Sequence, residues 1–134
     1  GSGAVGFVLA ALPFLAAPGS RPSALAFVAL SLWVFLADTT FTLFRRMARG
    51  EPLHQAHREH LYQRLVSTGW SHARASATLG AAAAVLTAAA LLALRSPGTA
   101  AWWAAILLAL AALCAEVFLV LAREGQAGRA VAGA

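Results

Sequence analysis

The chain has 134 residues, of which 60% are hydrophobic and 11% are charged, and its mean hydropathy is +0.74. About a quarter of the residues in an average soluble domain are charged, so this composition predicts an integral membrane protein. The net charge is +5, and the basic residues are all arginines that are not interleaved with aromatic residues along a solvated face. We therefore expect no nucleic-acid partner, and anionic or phosphorylated lipid fits better. The single Cys114 excludes an internal disulfide or a cysteine metal site.

Four apolar segments follow one another along the chain, and each is long enough, or nearly so, to cross a bilayer as a helix. They cover residues 4–17, 23–44, 73–94 and 99–122. Their apolar runs are continuous rather than alternating, which disfavours strands. Proline and glycine at residues 18–22 and 96–98 cannot continue a helix, so we expect compact reversals there. The sequence thus predicts an all-α integral membrane protein with about four antiparallel transmembrane helices.

The arginines predict the orientation of these helices. Residues 45–74, which we call the polar island, hold six of the ten arginines and all four histidines, and two more arginines lie in the tail, residues 123–134. The two short turns hold only Arg21 and Arg95. Positive charge accumulates on the cytoplasmic side of membrane proteins. We therefore expect the connecting loop, residues 45–72, and both chain ends to be cytoplasmic.

The polar island has the chemistry of an anion-binding segment. Arg45 and Arg46 end the second apolar segment, where cations are favoured by the helix dipole and can bind phosphate or lipid headgroups. The polar spacing over residues 53–65 predicts a short amphipathic helix with His57, His60 and Arg64 on one face. Imidazole and guanidinium groups together suit a phosphate or pyrophosphate.

Other interpretations of the polar island stay open. A plain basic loop that only fixes topology would show the same charges. A metal site is less fitting, because His54, His57 and His60 are three residues apart and the outer two lie on different helix faces. Farther along, Gly69 and Ser71 are typical of a helix stop and of the N-cap of the third apolar helix.

Two carboxylates lie within apolar segments, where an ionisable group is costly. Asp38 is close to the cytoplasmic end of the second segment, and Thr39, Thr40 and Thr42 can satisfy its hydrogen bonds locally. Polar structural support and a functional role are both open for Asp38. Glu116, in the fourth segment, raises the same question.

Four short motifs together resemble the C-terminal part of the polyprenyl-phosphate sugar-1-phosphate transferases, the MraY/WecA type of membrane enzyme. The motifs are residues 38–46 (DTTFTLFRR), 50–52 (GEP), 56–65 (AHREHLYQRL) and 69–71 (GWS). The resemblance covers roughly residues 1–94. Residues 1–3, followed by Gly6 and Phe7, also resemble the end of the family's Gly-Asp-x-Gly-Ser loop, so we expect the chain to be a fragment whose catalytic aspartates lie upstream of Gly1.

The resemblance implies a reaction. A nucleoside diphosphate-sugar gives its sugar-1-phosphate to undecaprenyl phosphate in the bacterial cytoplasmic membrane, with Mg²⁺ as cofactor and no metal ligand in this chain. The family's loop carries a His-x-His-His motif; His60 aligns with its first histidine, and Tyr62 and Gln63 replace the later two. This departure is typical of the branch that acts on modified N-acetyl sugars. The implied phosphate and substrate ligands are His57, Arg58, His60, Gln63 and Arg64, with Arg45 and Arg46 near the lipid phosphate.

Two other classes of function are weighed against the transferase. A non-enzymatic membrane module, either an assembly partner or a binder of anionic lipid, would also explain the composition. It would not require that half of an active site lie outside this chain. A transporter fits less well, because only Asp38 and Glu116 are embedded charges and no matched broken helices are visible. A homodimer is left open beside a monomer.

Overall fold

The computed structural model describes residues 2–51, 60–96 and 98–132, and within those ranges the chain is helical without a strand. The predicted all-α class is therefore confirmed for the described residues. Short 3-10 turns at Leu12–Leu15 and Pro18–Ser20 lie between the first two helices. The helices are α1 (Ser2–Ala11), α2 (Arg21–Ser31), α3 (Trp33–Ala48), α4 (Leu61–Ser67), α5 (His72–Arg95) and α6 (Ala100–Ala132).

Two of the described helices are long and apolar enough to cross a membrane: α5 over His72–Arg95, and α6 over Ala100–Gln126. Only 17% of the most apolar window of each helix is buried within the protein. An apolar helix surface left uncovered by protein is stable where lipid covers it. The two helices therefore indicate a membrane protein. Helix α6 continues beyond the predicted end at residue 122, and no proline interrupts that stretch.

The N-terminal region contains a third apolar element, which is bent. The helical segments Gly3–Leu15 and Pro18–Ser31 are bent by 118° relative to each other, and they form either one broken span or a re-entrant pair. Ala16 and Ala17 between them are extended, and Pro18 supplies no N–H with which to continue the helix. Counting this pair as one span gives three candidate membrane spans among the described residues.

The predicted second apolar segment, residues 23–44, is divided between α2 and α3. Leu32 separates the two helices with φ −96° and ψ 4°, although its N–H still donates to the Val28 carbonyl at 3.0 Å. The Ser31 hydroxyl donates to the Phe27 carbonyl at 2.8 Å. Such back-bonding from serine bends helices, which gives a local reason for the interruption.

The chain divides into two compact units. The first unit comprises Gly1–Trp33 and Ala83–Ala109. Most of its buried residues in α5 and α6 are small, including Ala90, Ala93 and Ala105, each at most 2% exposed, and Leu86 is buried with them at 1%. Small residues allow helix backbones to approach closely in membrane proteins. One polar contact crosses this unit: the Trp33 indole N–H donates to the Ala109 carbonyl at 2.8 Å.

The second unit comprises Val34–Ala82 and Leu110–Ala134 and contains a mixed aliphatic and aromatic core. Leu61 and Leu65, one turn apart on α4, pack with Trp70 and with Val120 of α6. Gly69 has φ 98°, a backbone conformation that favours glycine, and it reverses the chain after α4. The Ser71 hydroxyl then accepts the Arg74 N–H at 3.2 Å, as expected for the predicted N-cap of α5.

The predicted amphipathic helix of the polar island is present in part. Helix α4 begins at Leu61, later than the predicted start at residue 53, and residues 52–59 lie outside the described part of the chain. Only residues 61–65 are common to the predicted and the observed helix.

Candidate functional site

Asp38 connects helix α3 to the start of helix α4. Its Oδ1 atom accepts the backbone N–H of Leu61 at 2.8 Å and the hydroxyl of Thr42 at 3.2 Å. The first N–H groups of a helix have no partner within the helix, and a carboxylate there also complements the helix dipole. The N-cap residue His60 makes no side-chain cap hydrogen bond, and Asp38 caps α4 from another helix. The structure thus assigns Asp38 a structural hydrogen-bonding role.

His60 is oriented by the same carboxylate. Its Nδ1 lies 3.4 Å from Asp38 Oδ1, and its side chain is 45% exposed while that of Asp38 is 15% exposed. The His60 backbone is extended, with φ −60° and ψ 147°, immediately before α4 begins. A carboxylate beside one ring nitrogen orients an imidazole and leaves the other nitrogen available to a ligand.

These residues border an open cavity of about 490 Å³ within the second unit. The cavity lining contains both polar and apolar residues, and the apolar ones come from α3 and α5. The polar lining residues are Asp38, Thr39, His60, Tyr62, Gln63 and Ser76, and the others are Val34, Phe35, Leu79 and Gly80. A mixed lining of this kind suits an amphiphilic ligand with one polar end.

The two α4 residues Tyr62 and Gln63, which line the cavity, differ in their hydrogen bonding. The Gln63 Oε1 atom is buried and has no hydrogen-bond partner among the described residues. The Tyr62 hydroxyl is instead engaged in a 2.7 Å hydrogen bond with His72 Nδ1 at the start of α5. Gln63, which the sequence singled out, therefore lies in the cavity beside His60 with unused hydrogen-bonding capacity.

Arg64 and His60, which were predicted to present one imidazole and guanidinium face, have different partners in the structure. His60 precedes α4 in extended conformation and turns to Asp38, whereas Arg64 pairs with Glu124 of α6. The Arg64 Nε donates to Glu124 Oε1 at 2.6 Å, and its Nη2 contacts the same oxygen. Arg64 is only 8% exposed and does not line the cavity. Its guanidinium therefore joins α4 to α6.

The arginines at the end of α3 differ in burial. Arg46 is buried, and its Nε lies 3.6 Å from Glu51 Oε2. Arg49 also pairs with Glu51, through Nη1 at 3.6 Å. Arg45 is half-buried. Arg45 and Arg46 were both expected near a lipid phosphate, and Arg45 is the more accessible of the two.

The remaining predicted ligands and a metal site can be placed only in part. His57 and Arg58 lie outside the described residues. Among the described residues, no three His, Cys, Asp or Glu side chains come together as a metal-binding group. The carboxylates of Asp38, Glu51 and Glu124 already serve hydrogen bonds or ion pairs, so they do not fit a Mg²⁺ site. Glu116 has a buried Oε1 without a hydrogen-bond partner in the described part of the chain.

Sequence reasoning missed Glu124. It lies in the arginine-containing tail, 60 residues from Arg64, and only the packing of α4 on α6 brings the two together. The available signal in the sequence was that Glu124 is an acidic residue just after the apolar segment 99–122.

Comparisons of the chain with family models, with curated proteins and with solved structures found no match. The interpretation of the site therefore depends on its own geometry and on the residue motifs of the polar island.

Proposed function

We propose that this chain is the C-terminal part of a membrane enzyme that transfers a sugar-1-phosphate, of the N-acetylated hexosamine type, from a nucleoside diphosphate-sugar to undecaprenyl phosphate. The product would start a cell-wall or surface polysaccharide. The observation that carries the proposal is the cavity lined by His60, which Asp38 orients, and by Gln63, together with apolar residues of α3 and α5.

The cavity offers both polar and apolar lining residues, as the two ends of a polyprenyl phosphate would require. Val34, Phe35 and Leu79 would contact the first isoprene units of the lipid. The ring nitrogen of His60 that faces away from Asp38 and the Nε2 amide of Gln63 would donate hydrogen bonds to phosphate oxygens, whereas the unpartnered Oε1 of Gln63 can only accept one. Arg45 would approach the lipid phosphate from the end of α3, and His57 and Arg58 are proposed to hold pyrophosphate or sugar oxygens of the donor.

In the proposed reaction, an oxygen of undecaprenyl phosphate attacks the sugar-bearing phosphorus of the donor. The bond from that phosphorus to the oxygen bridging the two phosphates breaks, and the nucleoside monophosphate leaves with the electron pair. Phosphoryl transfer depends mostly on positioning and charge stabilisation. His60 would hold and orient a phosphate oxygen, and Asp38 would keep the imidazole in place.

Mg²⁺, when bound, would neutralise phosphate charge in this reaction. As the family resemblance implies, we propose that the ligands of Mg²⁺ belong to parts of a longer parent protein. We therefore expect the 134 residues by themselves to transfer no sugar-phosphate. Measurable transfer by the purified chain would contradict this assignment.

The proposed topology has four antiparallel crossings, with the polar island and both ends on the cytoplasmic side of a bacterial inner membrane. Helices α5 and α6 and the bent N-terminal pair support the membrane location. A Ser67→Cys variant that also carries Cys114→Ala tests the orientation. A membrane-impermeant maleimide should label it in inside-out vesicles and leave it unlabelled in intact spheroplasts; the reverse pattern would invert the topology.

The activity is tested in membranes that contain the complete reading frame. They are incubated with Mg²⁺, undecaprenyl phosphate and radiolabelled UDP-N-acetylhexosamines, and the label in the lipid extract and the release of UMP are measured. The proposal requires equal amounts of sugar-lipid and UMP. A folded, membrane-inserted protein that forms no sugar-lipid from any donor would support the non-enzymatic membrane module instead.

A further inference from the structure

Two arginines contact the indole ring of Trp70, outside the cavity described above. The guanidinium carbon of Arg74 lies 4.1 Å from the ring centroid, and that of Arg123 lies 5.6 Å from it. Trp70 is only 8% exposed and belongs to the core that joins α4, α5 and α6. Cations over an indole face are attracted by the ring's quadrupole, so the buried ring interacts with both guanidinium groups.

Neither of these arginines has a carboxylate partner among the described residues. Arg74 is exposed and Arg123 is half-buried. The nearest acidic residue along the chain, Glu124, is committed to Arg64. The Trp70 cluster, meaning Trp70, Arg74 and Arg123, therefore carries two positive charges that no protein carboxylate neutralises within the described structure.

The Trp70 cluster lies at one end of both membrane-spanning helices. Arg74 is in the first turn of α5, and Arg123 is close to the end of the apolar part of α6. Trp and Arg at span ends are favoured at the depth of lipid headgroups. The positive end of the α5 dipole adds to the attraction for an anion there. Phe118, 73% exposed, and Leu121, 50% exposed, precede Arg123 on α6 and offer apolar surface to acyl chains.

We propose that Arg74 and Arg123, held in place by Trp70, bind the phosphate group of an anionic phospholipid in the surrounding bilayer. A guanidinium matches a phosphate with two parallel hydrogen bonds, and basic positions between helices at the membrane surface suit anionic headgroups. The site is separate from the catalytic cavity, because none of the three residues lines it. It does not depend on the proposed transferase activity.

The test uses the protein in nanodiscs of phosphatidylcholine, with phosphatidylglycerol added in increasing amounts. Bound phosphatidylglycerol is measured by native mass spectrometry. Arg74→Gln and Arg123→Gln should each weaken phosphatidylglycerol binding about fivefold, because one basic residue near an anionic surface contributes about 1 kcal/mol. Arg95→Gln, at the opposite end of α5, is the matched control and should leave binding unchanged. Equal binding by the wild type and both Trp70-cluster variants would overturn the proposal.

Two further probes separate the sources of the phosphate. Undecaprenyl phosphate and inorganic phosphate are each added to phosphatidylcholine nanodiscs in place of phosphatidylglycerol. We expect Arg74→Gln to leave the binding of both unchanged. If the variant instead abolishes binding of either one and leaves phosphatidylglycerol binding intact, the assignment to a bilayer phospholipid is wrong.

A lysine series keeps the test decisive if the glutamine variants fail to fold. Arg74→Lys and Arg123→Lys retain the positive charge but lose the planar guanidinium group, which stacks on the indole ring and can form two parallel hydrogen bonds to a phosphate. They should bind phosphatidylglycerol with an affinity between those of the wild type and the glutamine variants, and more weakly as salt is raised. Lysine variants that bind as tightly as the wild type at every salt concentration would contradict a structured guanidinium site.

Discussion

The two compact units differ sharply in polar content. The first unit contains Arg21 and Arg95 and no acidic residue, whereas the second contains all five acidic residues, all four histidines and the other eight arginines. Alanines and Leu86 form the buried part of α5 and α6 in the first unit. In the second unit, charged side chains join α3 to α4 and α4 to α6. The difference indicates that the helices of the second unit are joined in part by charged side chains, whereas the first unit depends on apolar packing.

This contrast has an energetic side. A buried carboxylate or guanidinium is stable only when hydrogen bonds or ion pairs replace its lost water. Asp38 and Arg64 meet that condition through partners on other helices. Removing one partner in the second unit should therefore cost more than removing a hydrogen bond in the first, and each variant below tests that expectation.

The largest effect is expected for Asp38→Ala. The change removes the cap of α4 and the orientation of His60, so it should lower the free energy of unfolding by about 3 kcal/mol. Unfolding in detergent, followed by circular dichroism, measures the loss. Thr87→Val is the control, because its hydroxyl bonds only to the Ala83 carbonyl within the same helix. A loss for Asp38→Ala no larger than that of the control would remove the proposed role of the carboxylate.

A smaller effect is expected for Glu124→Gln, which leaves the Arg64 guanidinium buried without its charged partner. We expect a loss of about 2 kcal/mol, reduced from that of a fully buried pair because the Glu124 side chain is 35% exposed. The double variant Arg64→Met with Glu124→Gln should recover part of the stability, since no buried charge remains. If the double variant loses as much free energy of unfolding as Arg64→Met and Glu124→Gln lose together as single variants, the two residues act independently.

The smallest effect is expected in the first unit, for Trp33→Phe. The aromatic ring is kept, and only the 2.8 Å hydrogen bond to the Ala109 carbonyl is lost. A net loss of about 1 kcal/mol follows from a single neutral hydrogen bond. The same unfolding experiment measures it. A loss that exceeds that of Asp38→Ala would reverse the difference between the two units.

The sequence was sufficient where local patterns determine structure. The apolar runs at residues 73–94 and 99–122 correspond to α5 and to the first part of α6. Gly69 and Ser71 end one helix and cap the next, because a positive φ and an N-cap hydroxyl are local requirements. These features need no knowledge of which helices are neighbours.

The site was less predictable because its contacts connect residues far apart in the chain. Asp38 caps α4 from 23 residues upstream, and Glu124 lies 60 residues from Arg64. Helical spacing placed His60 and Arg64 on one face, but the carboxylate of Asp38 holds the first N–H of α4, and His60 stays extended before it. The spacing of residues in one segment carries no information about such partners.

The role of the cavity is tested most directly by the initial rate of sugar-phosphate transfer in the complete protein. His60→Ala is compared with Thr78→Val, which removes an exposed hydroxyl that bonds to the Arg74 carbonyl of its own helix and does not line the cavity. We expect His60→Ala to lower turnover about tenfold or more, because a hydrogen bond to a charged phosphate contributes about 1.5–3 kcal/mol. Thr78→Val should retain most of the wild-type rate. Equal rates for the two variants and the wild type would contradict the assignment of this cavity to the reaction.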